Sequence, residues 1–221
     1  MTSSQRRLRY LARRTLLVAA VAVLAALLAV ADRAGLFGRA VEADYARYHG
    51  KTFTVTRVVD GDTLDVACPD HGRDSTRIRL LGVDTPETVK PDTPVQHYGR
   101  EASRLLGNLR GRQVRLELDE RRTRDGFRPP RLLAYVVLAE GQQFETADGE
   151  AVDLPAGANV CEAIVATGHG YADPRYANPL QRQMERAQRA AMKARRGLWK
   201  DVTVADLPHY FRQGPHRLTL P

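Results

Sequence analysis

Between residues 53 and 138 the chain alternates short apolar runs with turn-forming residues, and most of these runs have the length of a strand. They fall at 53–59, 63–67, 76–83, 113–118 and 132–138 and are rich in Val, Leu, Ile and Thr. Five short strands with few helices between them predict a barrel. Three other segments follow the helical period. In 98–109, Ala102, Leu105, Leu106 and Leu109 share one face. Residues 159–167 predict a short helix ended by Gly168. Residues 179–196 predict a longer one, with Asn178 as N-cap, Pro179 at the first helical position and Gly197 as the stop. The expected class is α+β, a β-barrel plus three α-helices.

A different pattern precedes this body. Residues 1–14 carry Arg6, Arg7, Arg9, Arg13 and Arg14 and no acid, and 16–31 is an apolar run without a charged residue. This N-terminal hydrophobic helix is short for an unaided span, but snorkelling arginines bring it near the usual minimum. An uncleaved transmembrane anchor is the favoured reading, since no helix breaker precedes Ala29-Val30-Ala31. A signal peptide cut after Ala31 is the alternative, and Arg13-Arg14 also fits a twin-arginine export signal. Each reading puts the remaining chain outside the cytoplasm, either held in the cell membrane by a single pass or secreted. The expected layout is a leader and anchor or signal peptide over 1–31, a linker over 32–50, one domain over 51–200 and a C-terminal tail over 201–221.

The leader changes what the composition means. It supplies five of the eight formal positive charges, so the basic balance is mostly a statement about topology. Residues 178–200 concentrate seven basic residues against Glu185 alone, and Arg182, Arg186, Arg189, Lys193 and Arg196 form a stripe opposite the apolar face of the last helix. That stripe reads equally as a solvated face or as a contact for nucleic acid or anionic lipid. Cys68 and Cys161 could pair outside the cytoplasm, and read equally as separate small buried residues. The six histidines have no metal-ligand spacing.

The candidate chemistry lies where the strands end. Arg79 stands within the apolar strand 76–83, where a guanidinium is costly unless something anionic meets it. Asp84, Pro86 and Glu87 turn the chain directly afterwards, and Asp60-Gly61-Asp62-Thr63 forms a hairpin signal just upstream. Taken separately these are ordinary turns. Taken together, Asp62, Asp84 and Glu87 would converge and repel unless a cation or a proton lies between them. Arg131, after the Gly/Pro-rich loop 125–130, again sets an arginine at the mouth of an apolar strand.

Asp60-Gly-Asp-Thr63, Arg79-Leu-Leu-Gly-Val-Asp-Thr-Pro-Glu-Thr88, Tyr98-Gly-x-Glu-Ala-Ser103, Arg131-Leu-Leu-Ala-Tyr135 and Gly197-Leu-Trp199 stand in the order found in the thermonuclease, or staphylococcal nuclease-like, family. The resemblance covers 52–199. It implies a five-stranded OB-fold barrel with three helices and a calcium-dependent phosphodiesterase site on its face. It further implies that Asp62, Asp84 and the backbone carbonyl of Thr85 hold Ca2+, an all-oxygen set suited to a hard cation. Glu87 resembles the general base. Arg79 and Arg131 resemble the two guanidiniums that grip the scissile phosphate. Phe127, Arg128 and Tyr176 resemble substrate-binding positions, and the family reaction leaves 3′-phosphates.

The chain also departs from the family pattern. Asp92 and Thr93 replace lysines in the loop 89–97, which weakens its pull on a polyanion. Phe127-Arg128-Pro129-Pro130 replaces the usual Tyr-Gly before the second arginine. Cys161 replaces an asparagine, and 139–158 is an acidic insertion, expected to be a solvated hairpin or loop that limits which nucleic acids approach. Two functions of different class follow. One is a calcium-dependent extracytoplasmic nuclease acting on DNA or RNA with low sequence specificity, since phosphate contacts carry no sequence information. The other is a catalytically weak OB-fold nucleic-acid-binding module at the cell envelope. A binding barrel has no need of converging acids, which favours the enzyme. It is expected to act as a monomer.

Overall fold

The computed structural model describes residues 3–33, 36–88 and 94–220. Two units are distinct, Met1–Asp44 and Tyr45–Pro221. The first holds helix α1 (Ser3–Arg33). Its Leu16 and Leu17 side chains are exposed, like the other large apolar side chains described on it. Among the described residues no helix is long and apolar enough to cross a membrane. The side chains at 28, 29 and 31 of the apolar run lie outside the described residues. The stretch expected to be a linker holds a second helix, α2 (Leu36–Tyr48). Its last turn belongs to the second unit, where Tyr48 is fully buried and its hydroxyl meets Thr76 Oγ1 at 3.1 Å.

The second unit is built on a closed barrel of five strands: β1 (Thr52–Asp60), β2 (Thr63–Val66), β3 (Thr76–Leu80), β5 (Gln113–Glu117) and β6 (Leu132–Leu138). Around the barrel their order is β1-β2-β3-β6-β5, closed by β1 pairing with β5. All pairs are antiparallel except β3 with β6. Alternation explains β3, where Thr76, Ile78 and Leu80 face inward and Arg77 and Arg79 outward. Strand β6 has no polar face because the barrel core lies on one side and helix α4 (Val160–Ala166) on the other, so all seven of its residues are buried.

The strand expected over 76–83 is broken. Gly82 adopts φ +74°, a left-handed turn that only glycine takes readily, and Val83–Asp84 becomes a separate strand, β4. It pairs with β9 (Tyr171–Ala172) in place of a barrel neighbour. The turn thus lifts Asp84 out of the barrel wall and delivers it to the mouth.

Helix α3 (Gly99–Gly107) buries Ala102, Leu105 and Leu106, as its period requires. Asn159 caps α4, its side chain accepting from the amides of Cys161 and Glu162. Helix α5 runs over Gln181–Lys193, starting later than expected. Asn178 is not its N-cap. The Asn178 Oδ1 accepts from Tyr135 Oη at 2.7 Å and from the Leu180 amide at 3.2 Å, so this side chain ties strand β6 to the approach of α5. Both cysteines are free thiols; burial pushes the Cys161 thiol up to about 12, which leaves it unreactive near neutral pH.

The acidic insertion forms a hairpin, β7 (Gln142–Glu145) with β8 (Ala151–Leu154). It is not a freely solvated one. Phe144 is buried in the main core, Asn108 exchanges two hydrogen bonds with the Glu145 backbone, and Asp148 pairs with Lys200 at 2.6 Å. Beyond the short turn Gly197–Lys200, the last segment builds a second apolar cluster, in which Leu207 and, on the short helix α6 (His209–Arg212), Phe211 join Tyr171, Leu198 and Trp199.

Candidate active site

Asp62 sits in the two-residue connection between β1 and β2, and Asp84 at the end of β4. Arg79, outward on β3, reaches both. One of its terminal nitrogens pairs with Asp62 Oδ2, and the other donates to Asp84 Oδ1 at 2.7 Å and to the Val83 carbonyl at 3.3 Å. The three side chains are largely buried, so these contacts are only weakly screened by solvent. Asp62 is held further by Thr63 Oγ1 at 2.8 Å and by the Thr85 amide and hydroxyl at 3.1 and 3.2 Å. The Thr85 amide binds inward to the carboxylate, which places its peptide unit against Asp62.

Gly61 is what allows this. A Cβ there would lie 2.7 Å from Thr85 Oγ1 and 2.8 Å from the Ala102 Cβ. The Asp-Gly pair reads in sequence as a turn signal, but what Gly61 supplies is room for the hairpin to close on the 84–88 loop. Gly170 and Gly99 do the same from other sides. A Cβ on Gly170 would come 3.0 Å from the Asp84 carbonyl, and one on Gly99 would come 2.8 Å from Thr88 Cγ2 and 3.1 Å from the Glu87 carbonyl.

Glu87 meets a fourth acid. Its carboxyl hydrogen-bonds that of Asp60, while its amide donates to Gln96 Oε1 at 2.9 Å. Asp60 Oδ1 also accepts from Thr88 Oγ1 at 2.6 Å, the Gly61 amide at 2.8 Å and Ser103 Oγ at 3.0 Å. Burial alone would raise the Asp60 pKa, but the bonds from Glu87, Thr88, Gly61 and Ser103 outweigh it and hold this carboxyl below the usual carboxylate range. The repulsion expected among three acids is thus relieved in two ways, by a guanidinium between Asp62 and Asp84 and by a hydrogen bond between Asp60 and Glu87.

Arg131 lies just before β6. The parallel register pairs Leu132 with Ile78 and Leu133 with Arg79, so Arg131 projects from the same face as Arg79 one repeat earlier. Its amide and Nε donate to Asp125 at 2.9 and 2.5 Å, and its guanidinium lies 4.1 Å over the Phe127 ring. Phe127 therefore supplies an aromatic face beside the second arginine although Tyr-Gly is missing. Phe127 is 64% exposed, Arg128 is exposed, and Tyr176 is 57% exposed with the guanidiniums of Arg122 and Arg175 5.4 and 5.8 Å from its ring centre. Asp92 and Thr93, expected to weaken the neighbouring loop's pull, lie outside the described residues.

Among the described residues no three His, Cys, Asp or Glu side chains form an ion cage. What the site offers a cation is two carboxylates, Asp62 and Asp84, that meet on one guanidinium. These are oxygen donors only, which fits a hard ion that completes its shell with water or substrate oxygens.

Residues 77–201 match the family described as Staphylococcal nuclease homologue, more than half of the 221-residue chain. The chain belongs to that family. It is similar to the thermonuclease of Staphylococcus hyicus, 36% identical over 155 residues that cover 68% of this chain and 77% of that protein. It is also similar to the thermonuclease of Staphylococcus intermedius, 48% identical over 92 residues, 41% of this chain and 51% of that protein. The micrococcal nuclease of Shigella flexneri is 30% identical over 152 residues, 69% of this chain and 75% of that protein.

The staphylococcal nuclease family match takes in Arg79, Asp84, Glu87, Arg131 and Tyr176, but residues beyond those expected complete the site. Asp60 was visible as part of a turn, with no sign that it would meet Glu87. Arg175 pairs with Asp84 at 3.0 Å and with Asp173 at 2.8 Å. Burial opposes the Arg175 charge, yet Asp173 and Asp84 outweigh it and hold its pKa above the ordinary value. Tyr210 donates to Asp84 Oδ2 at 2.8 Å, and burial together with Asp84 and Asp173 raises its pKa, so the hydroxyl keeps its proton.

Proposed function

We propose that this chain, a nuclease of the staphylococcal family, hydrolyses phosphodiester bonds of DNA or RNA outside the cytoplasm with little sequence preference, using calcium held by Asp62, Asp84 and the Thr85 carbonyl. The observation that carries this reading is Arg79 bridging Asp62 and Asp84 at the barrel mouth, with Arg131 on the same face. A guanidinium bound to two carboxylates is poised to exchange one of them for a phosphate oxygen, whose geometry it matches equally well.

In this reading Arg79 and Arg131 grip the scissile phosphate from adjacent strands and offset the negative charge that builds on its oxygens as water adds. Asp125 orients Arg131 and Phe127 backs it, so its planar fork is fixed before substrate arrives. Glu87 takes the proton of the attacking water, which requires it to be ionised and so to have given up the proton it shares with Asp60. Bound calcium would supply positive charge beside the phosphate and a water acidic enough to react near neutral pH. Phe127, Arg128 and Tyr176, exposed on the rim, take the neighbouring bases and phosphates by stacking and charge, contacts that do not read sequence. The arginine-rich leader and the exposed apolar side chains on α1 support attachment to the cell membrane with the nuclease outside; secretion after cleavage at Ala31 is the other route.

The test is full-length protein with single-stranded DNA, in calcium and in EDTA, beside Glu87→Gln. Cleavage by the parent in calcium only, reduced by orders of magnitude in the variant, is the expected result. Salt-sensitive binding without cleavage would replace this reading with the binding module. An equally active variant would remove Glu87 from the role of base.

A further inference from the structure

The family match ends at residue 201, yet the segment after it reaches the site. Its anchoring is apolar. Leu207 and Phe211 are 2% and 4% exposed, Phe211 packs on Tyr171 with ring centroids 5.7 Å apart, and the Leu218 amide returns to the Phe211 carbonyl at 2.9 Å. That cluster fixes the neighbouring residue, Tyr210, whose ring carries the Arg175 guanidinium at 4.4 Å and whose hydroxyl donates to Asp84 Oδ2. A tail with no task at the site would have no reason to spend a polar contact on one aspartate 126 positions away.

Asp84 thereby has both oxygens assigned. Oδ1 accepts from Arg79 and forms an ion pair with Arg175, and Oδ2 accepts from Tyr210. A carboxylate offers about four lone-pair directions, and with a donor on each oxygen the plane of the group is set. The two arginines share one oxygen and leave the carboxylate able to swing about it. The hydroxyl on the other oxygen removes that freedom while adding no charge to compete with a cation.

We infer that the segment 202–220 is a built part of the active site and that Tyr210 is a positioning residue, holding Asp84 in the orientation in which it ligates calcium. This rests on the calcium reading above. It predicts that Tyr210→Phe, which keeps the ring between Arg175 and Phe211, weakens calcium binding by about tenfold, the fold-change that corresponds to one lost hydrogen bond to a charged group. Turnover at saturating calcium should fall much less. Leu207→Ala, which loosens the anchor without touching Asp84, should shift calcium affinity in the same direction.

The experiment uses full-length parent, Tyr210→Phe and Leu207→Ala, with two readouts. Amide hydrogen exchange at Asp84 and Thr85 is followed without calcium, and calcium affinity is then measured by calorimetric titration. Faster exchange and weaker calcium binding in Tyr210→Phe, at an unchanged melting temperature, support the inference. Unchanged exchange overturns it, as does faster exchange with unaltered calcium affinity, because Tyr210 would then be structural only. If the parent binds no calcium, the calcium reading falls and the positioning role toward that ion falls with it. Faster exchange in the variant would then mark a contact that orders the loop alone.

Discussion

The two halves of the site are built on opposite terms. On the acidic side, Asp60, Asp62 and Asp84 lie in or against the barrel, each with several hydrogen-bond or ion-pair partners, and three glycines let the surrounding backbone close on them. On the aromatic rim, Phe127 and Tyr176 are more than half exposed and meet little besides arginine planes. The first half is held by its own neighbours; the second lies open to solvent. Groups that handle developing charge gain from preorganisation, since reorganising dipoles during reaction is costly, whereas groups that take any base gain from slack. Arg131 joins the halves, with its guanidinium fixed by Asp125 on one side and lying over Phe127 on the other.

Substitution can break or sharpen that contrast. The largest effect is expected at the joint. Arg131→Lys keeps the charge but loses the fork, and kcat should fall about 10²–10³-fold with the melting temperature little changed; a steady-state assay giving near-parental kcat would dissolve the distinction.

Next comes a buried histidine. His169 is buried beside Gly170, and burial lowers its pKa from 6.5 to about 4. The unfolded chain takes up a proton near pH 6.5 that the folded chain refuses until about pH 4. Stability is therefore full above 6.5 and is lost as pH falls through that window, by up to ~3 kcal/mol. In urea titrations across the window, His169→Gln should flatten this slope, whatever its effect at pH 7.

A smaller cost is expected for Gly61→Ala, whose Cβ would push Thr85 and Ala102 apart. A loss of about 1–3 kcal/mol is expected, with a fall in activity that remains at temperatures where the variant is fully folded. The smallest change belongs to the rim, where Phe127→Ala should raise KM about tenfold and leave kcat nearly intact. A kcat effect as large as that of Arg131→Lys would show that the rim too is preorganised.

Much of this was legible beforehand. The five barrel strands and three of the helices lie close to where apolar spacing predicts them, because both patterns are local. Arg79, Asp62 and Asp84 were identifiable as one site from motif order, and they do meet. Other readings failed for reasons that are themselves informative. Strand 76–83 looked continuous because Leu81 and Val83 suit a strand, yet Gly82 turns there. Asn178 had the form of an N-cap but answers to Tyr135, 43 positions earlier. The insertion looked solvated by its charge, while Phe144 is buried in the core and Asn108 and Lys200 hold the hairpin against it.

The sequence by itself determined which side chains could do the chemistry, the order of strands and helices, and the class of the fold, since periodicity, turn residues and motif spacing act over a few neighbouring positions. Only the tertiary structure decided who partners whom. It set Glu87 against Asp60, placed Arg79 between two carboxylates, and brought Tyr210 from the tail onto Asp84. Those pairings depend on the closure of the barrel and on backbone approaches that glycine permits, and hydrogen bonds formed across that distance leave no periodic trace in the chain.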